Sequence, residues 1–321
     1  MEPGAARIAV DLLGGDHAPD VVVDGALRAL GADPDLHLLL VGPAVVADRL
    51  LGLLDAADGA RVSTRYGGGM ADAPARASRP DTTVRAAVTA VADGQADAVV
   101  SAGSTAATVT AAALGLGRLP GVRRPALVAT LPAAAGPVVL IDVGGSLEAR
   151  PATLVRHAAL GVAFAAVAHG VQRPRVGLLS VGTESGKGDR ARRAADPVLA
   201  RCPLPAGGRY LGLVEGYELA TGDHVDVVVT DGFTGNVLLK GIEAAYAMAG
   251  GPPAGSGTPR AATLLGVAGT VVVCHGAALA DDLASGIALA AHLHRRAAAA
   301  AISALLADQP GALPSDIEVT T

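Results

Sequence analysis

Short apolar runs recur along the chain, and longer stretches with helical spacing follow several of them. Runs at Arg7–Asp11, Leu36–Val41, Arg61–Thr64, Ala98–Ser101, Ala126–Leu131, Val138–Asp142, Arg175–Val181, Val225–Thr230 and Thr270–Cys274 read as strands. Residues 20–31, 43–54, 82–93, 104–116, 151–169, 187–199, 235–249 and 279–306 read as helices. This alternation predicts an α/β fold with a largely parallel sheet and helices on its faces. Most strands run into a Gly-rich or polar turn before the next helix, and ligands bind at that carboxyl edge in open α/β sheets. No segment recurs at a fixed period. Residues 250–259, Gly-Gly-Pro-Pro-Ala-Gly-Ser-Gly-Thr-Pro, are too polar and flexible for the core and read as a linker.

Length permits one large domain or two smaller ones. Just over half the residues are apolar but only 2% are aromatic and none is Trp, so the core is aliphatic. A net charge of −5 gives no global attraction to nucleic acid or to an anionic membrane. Arginines cluster at Arg118, Arg123 and Arg124, and again at Arg190, Arg192 and Arg193. Each cluster is either a solvated helix end or a docking patch for an acidic partner. Cys202 and Cys274 lie far apart with no metal-ligand spacing, which fits reduced thiols in the cytosol. Ile8-Ala9-Val10 runs straight into Asp11, so no apolar signal core stands there. Leu154 to Val171 is the most membrane-like stretch. It carries Arg156, His157 and His169 and reads as a helix of a soluble protein.

Three turns carry candidate chemistry. Ser101-Ala-Gly103-Ser104-Thr105 lies between a strand and an Ala-rich helix. It is either a phosphate cradle of helix N–H groups and hydroxyls or an ordinary Ser/Thr cap. Asp231-Gly232-Phe-Thr-Gly235-Asn236 follows Val-Asp-Val-Val-Val-Thr230. There Asp231 points into a cleft or caps a turn, and Gly232 and Gly235 allow close backbone approach. Gly182-Thr-Glu184-Ser-Gly-Lys187-Gly188 is one residue short of a nucleotide P-loop and lacks its Ser/Thr. Lys187 remains a point charge for an anion. No G-x-G-x-x-G follows a strand, which argues against a dinucleotide enzyme. Gly14-Gly15-Asp16-His17-Ala-Pro19 and His275 also end strands. Each imidazole is either structural or placed to polarise a substrate, and two on one edge favour function. Cys274 and His275 are adjacent in a strand and face opposite ways, so they form no nucleophile pair.

Taken together, Asp11–Pro19, Ala96–Gly103, Gly117–Ala126, Asp142–Gly144, Pro174–Leu179, Lys187-Gly188, Asp226–Lys240 and His275-Gly276 resemble the PlsX-type acyl-carrier-protein:phosphate acyltransferases. They occur in that family's order and cover nearly the whole chain. The resemblance implies a single Rossmann-like α/β/α sandwich over residues 1–321, related to phosphotransacetylases. It implies transfer of a fatty acyl group from an acyl carrier protein thioester to inorganic phosphate, for phospholipid synthesis. A cytoplasmic homodimer with no metal and no organic cofactor is expected. His17, His275, Lys187 and Asp231 are the expected catalytic residues. Asp16, Ser101, Gly103, Ser104, Thr105, Ser146, Glu184, Gly232 and Asn236 are the expected binding residues. Ser104, Thr105, Lys187 and Asn236 are expected to share one anion.

The chain departs from the family pattern at Ser104 and Ser146, where carboxamides are usual, and at Ala106, Gly145, Thr183 and Ser185. A hydroxyl donates one hydrogen bond where an amide donates two. Residues 250–259 stand in place of a helical projection tied to membrane docking, so no stable membrane binding is expected. Two other readings stay open: a paralogue that moves an unusual acyl group in specialised metabolism, and an inactive homologue that binds a carrier protein.

Overall fold

Chain segments rich in Val, Leu and Ile pack between helices, and their backbone polar groups pair laterally as strands. The computed structural model describes residues 4–69, 79, 81–251 and 261–308. The chain forms two compact units. Their described parts are residues 4–118 with 261–299, and residues 119–251 with 300–308.

The first unit contains β1 (Ala6–Asp11), β2 (Leu36–Gly42), β3 (Val62–Tyr66), β4 (Ala98–Ser101), β10 (Ala261–Leu265) and β11 (Thr270–Cys274). Their lateral order is β3-β2-β1-β4-β11-β10. All neighbours are parallel except β10 and β11. Ile8, Val10, Leu38, Val99 and Val271 are wholly buried. The helices are α1 (Asp20–Ala32), α2 (Ala44–Leu51), α3 (Ala56–Gly59), α4 (Thr83–Ala92), α5 (Thr105–Gly115) and α10 (Ala280–Arg295). Helix α1 packs along α10, and Gly25 permits the approach: a Cβ there would lie 2.5 Å from that of Leu283.

The second unit contains β5 (Ala126–Leu131), β6 (Val138–Ile141), β7 (Arg175–Leu179), β8 (Arg209–Val214) and β9 (Val227–Val229), in the order β5-β6-β9-β7-β8. β5 and β6 are antiparallel and the others parallel. Its helices are α6 (Pro151–His169), α7 (Arg190–Leu199), α8 (Glu218–Thr221) and α9 (Gly232–Met248). Helix α6 is the one helix among the described residues long and apolar enough to cross a membrane. Two-thirds of it is buried, with Leu154, Leu160 and Phe164 among the largest hidden side chains, so it is the unit's core helix.

The sheet is largely parallel, as the alternation predicts. The apolar runs missed β8 and β10, and β7 stops at Leu179, leaving Val181 82% exposed. The helix read at 279–306 is two, α10 and α11 (Ala298–Ala307), separated by Ala297 at φ 50°. Of the 250–259 linker, Gly250 and Gly251 take φ values of 88° and 127°; residues 252–259 lie outside the described residues.

Candidate active site

β1 sits between β2 and β4, so the chain leaves it to one side and returns on the other. That reversal makes the carboxyl ends of β1 and β4 a topological switch point, where open α/β sheets take ligands. The turns there are in backbone contact. A Cβ at Gly14 would lie 2.8 Å from both the Gly103 amide and the Ser101 hydroxyl, so glycine is required. The Asp16 amide donates to the Gly276 carbonyl at 2.7 Å, joining the turn after β1 to the turn after β11. Asp16, His17, Ser101, Gly103, Ser104 and His275 therefore gather at one edge, and both imidazoles are exposed there.

These residues are not equally available. Ser101 is 1% exposed; its hydroxyl donates to Asp11 Oδ2 at 2.8 Å and accepts from the Gly103 amide. Ser104 caps α5, accepting from the Ala107 amide at 3.5 Å, and Thr105 opens that helix half-exposed. His275 Nδ1 accepts from the Ala277 amide at 3.1 Å, which leaves Nε2–H as an outward donor. Burial pushes the Asp11 carboxyl up, against hydrogen bonds from Thr83, Ser101 and the Leu13 amide. Cys274 is buried, and its thiol is pushed up to about 12 by burial and by Asp282, so it is no nucleophile.

In the second unit the turn after β9 lies between those after β6 and β7, because β9 sits between these strands. Asp142, wholly buried, accepts from the amides of Leu127, Gly144, Gly145 and Ser146 and from the Ser146 hydroxyl, at 2.7–3.1 Å. His157 of α6 is also fully buried; burial pushes its imidazole down, against the pull of the Asp142 carboxylate. Asn236 donates its amide to the Val143 carbonyl at 3.1 Å. Gly232 and Gly235 press on this turn: a Cβ at Gly232 would fall 2.0 Å from the Ser146 carbonyl oxygen. The close approach expected of a ligand at Gly232 is occupied by the protein's own backbone.

Asp231 caps α9. One oxygen accepts from the Thr234 amide at 2.8 Å, the other from the Thr234 hydroxyl and Arg192 Nη2, each at 2.8 Å. Burial raises this carboxyl, and the Thr234 amide, Arg192 and the Thr234 hydroxyl together hold it below the usual carboxylate range. Lys187 and Glu184 are exposed on the turn after β7. Of the four residues expected to share one anion, Ser104 and Thr105 belong to the first unit and Lys187 and Asn236 to the second.

Residues 6–251 match the model of a family described as fatty acid synthesis protein. The chain is 39% identical to a phosphate acyltransferase of Thermobifida fusca, over 89% of this chain and 87% of that one. The chain belongs to the PlsX family of phosphate acyltransferases. A phosphate acyltransferase of Desulfitobacterium hafniense is 42% identical over 74% of this chain and 70% of its own length. The fold is that of the phosphotransacetylases. The EutD phosphotransacetylase from Staphylococcus aureus superposes with TM-score 0.61 at 18% identity, covering 90% of this chain and 94% of that one. A branched-chain phosphotransacylase from Enterococcus faecalis gives 0.63 at 17%, covering 90% and 99%.

Sequence reasoning passed over Asp11, Asp142 and Arg192, which organise these edges of the PlsX-type fold. A signal for Arg192 exists: with Ala195 and Leu199 it forms an i, i+3, i+7 stripe, and all three are buried. It was grouped instead with its exposed neighbours Arg190 and Arg193. Asp11 ends β1 and Asp142 directly follows β6, each ahead of a glycine turn whose amides a short carboxylate can cap.

Proposed function

We propose that this chain moves a fatty acyl group from the thioester of an acyl carrier protein to inorganic phosphate, in the cytoplasm, as a homodimer. A phosphate oxygen attacks the thioester carbonyl, the C–S bond breaks, and the thiolate leaves with a proton. The products are an acyl phosphate and a free thiol, with no change of oxidation state.

The observation that carries this reading is the Asp16–Gly276 hydrogen bond, which holds the His17 and His275 turns together at a switch point. We assign the two imidazoles different work. His275, with Nδ1 occupied as an acceptor, donates through Nε2 to the carbonyl oxygen as negative charge grows on it. His17 supplies the proton to the leaving thiolate. Within the second unit, Lys187 and the positive end of the α9 dipole provide charge for phosphate. Asp231, whose two oxygens are already engaged and whose carboxyl stays ionised, is a cap and not a proton carrier. The apolar side chains that α9 exposes, Phe233, Val237 and Met248, support a homodimer face there.

The test is thiol release from acyl-carrier thioesters of several chain lengths, with and without phosphate. Release that needs phosphate, and a product trapped by hydroxylamine, supports the proposal. Release at the same rate without phosphate, or none with any thioester, defeats it.

A further inference from the structure

Arg192 is 7% exposed, yet its guanidinium touches four acceptors on three separate pieces of the second unit. Nε donates to the Leu179 carbonyl at the end of β7 at 2.6 Å. Nη1 donates to Asp189, the cap of α7, at 2.5 Å. Nη2 donates to the Thr230 hydroxyl at 2.9 Å and to Asp231, the cap of α9, at 2.8 Å. Gly188 lies on the arginine stem: a Cβ there would stand 2.9 Å from that of Arg192 and 3.2 Å from its Cδ. Gly188 takes φ 89° and directly follows Lys187, so the lysine's turn is moulded over this side chain.

We infer that Arg192 is a positioning residue that locks the Lys187 turn to the first turn of α9 and so sets the geometry of the phosphate-holding groups. This rests on the reading of Lys187 and α9 given above. A planar guanidinium with forked donors reaches acceptors on several sides at once, whereas an ammonium has one donor atom. Asp231 is thereby kept as a fixed anion. The charged group on it is Arg192 of α7, which also holds Asp189, the cap of that helix; Arg193 of α7 donates to the Gly188 carbonyl, and Lys187 and Glu184 stand exposed on the glycine turn. From the β6 turn comes Asp142, whose oxygens are taken up by its own turn's amides.

The test is R192A and R192K, with kcat and KM for phosphate measured across pH. R192A is expected to lose about 10-fold or more in kcat/KM for phosphate. Its acid limb should move to higher pH, because Asp231 loses the cation that holds its carboxyl down. Millimolar guanidinium should restore part of the loss. R192K, which keeps a charge beside Asp231, should return the acid limb but not the full KM. Wild-type kinetics in R192A overturn the inference, as does a loss with an unmoved pH profile and no rescue. If R192A fails to fold, R192K decides: wild-type kcat/KM for phosphate in folded R192K overturns it. Phosphate binding by calorimetry on wild type and R192K separates this inference from the proposed function. A wild type that binds phosphate at least 10-fold more tightly than R192K upholds the positioning role even where thiol release fails; equal affinities refute it.

Discussion

The two carboxyl edges are built from similar parts and use them differently. The first unit's edge leaves His17 and His275 in solvent, with one imidazole nitrogen engaged by the backbone. The second unit's edge occupies nearly all its polar groups internally: Asp142 in five hydrogen bonds, Asp231 in three, Arg192 in four, and the Ser146 hydroxyl and Asn236 amide in one each. A residue type that looks chemical in a sequence is chemical only if its donors and acceptors are left free. On that criterion the proposal gives the proton and carbonyl work to the first edge, and to the second an anion held by a rigid frame with Lys187 exposed on its glycine turn.

The largest separation of the two edges comes from D142A. It leaves four amides, two of them buried, without their acceptor, and the loss should be about 4 kcal/mol, lowering the calorimetric unfolding midpoint by about 10 °C. A shift under about 2 °C would mean that the turn holds itself. H17A, at the exposed edge, should leave that midpoint unchanged and lower kcat about 10²-fold. H275A should fall comparably and H275Q less, because a glutamine amide still donates; equal losses in the two variants would remove the donor role.

Acid behaviour sharpens the same contrast. The Asp231 carboxyl lies below its ordinary value, so its stabilisation is complete above the unfolded value near ~3.9 and is lost as pH falls through the lower folded value. D231N should therefore flatten the acid side of the stability-against-pH curve, measured by chemical denaturation. S146A should cost about 1 kcal/mol and change KM for phosphate less than about 3-fold, since the hydroxyl proton already goes to Asp142. A tenfold rise in KM would return Ser146 to the substrate. The smallest effect belongs to Cys274: a buried thiol pushed up to about 12 should resist iodoacetamide in the native protein and react after unfolding.

The central strands were legible because each is a run of Val, Leu and Ile buried on both faces. β8 was not, because it lies at the end of the strand order, its first residues alternate between exposed and half-buried, and Gly212 at φ 100° interrupts it. β10 opens on Ala261-Ala262-Thr263, too small to stand out from the linker before it. The break at Ala297 lies in an alanine-rich run with no Gly or Pro, so tertiary packing and not propensity ends α10. At the site, strand ends located the turns of His17, Ser101, Lys187, Asp231 and His275 and the resemblance added that of Ser146, but neither showed which groups were free. Ser101, Ser146 and Gly232 look like ligand contacts until their partners Asp11, Asp142 and the Ser146 backbone are placed, and these are contacts between segments far apart in the chain or across a folded turn.

The most direct measurement is a single turnover of acyl-carrier thioester with oxygen-18-labelled phosphate, followed by mass analysis of the acyl product. Acyl transfer to phosphate predicts an acyl phosphate carrying the labelled phosphate oxygens, formed together with one thiol per acyl group. Free fatty acid without label, or unreacted thioester, would contradict it.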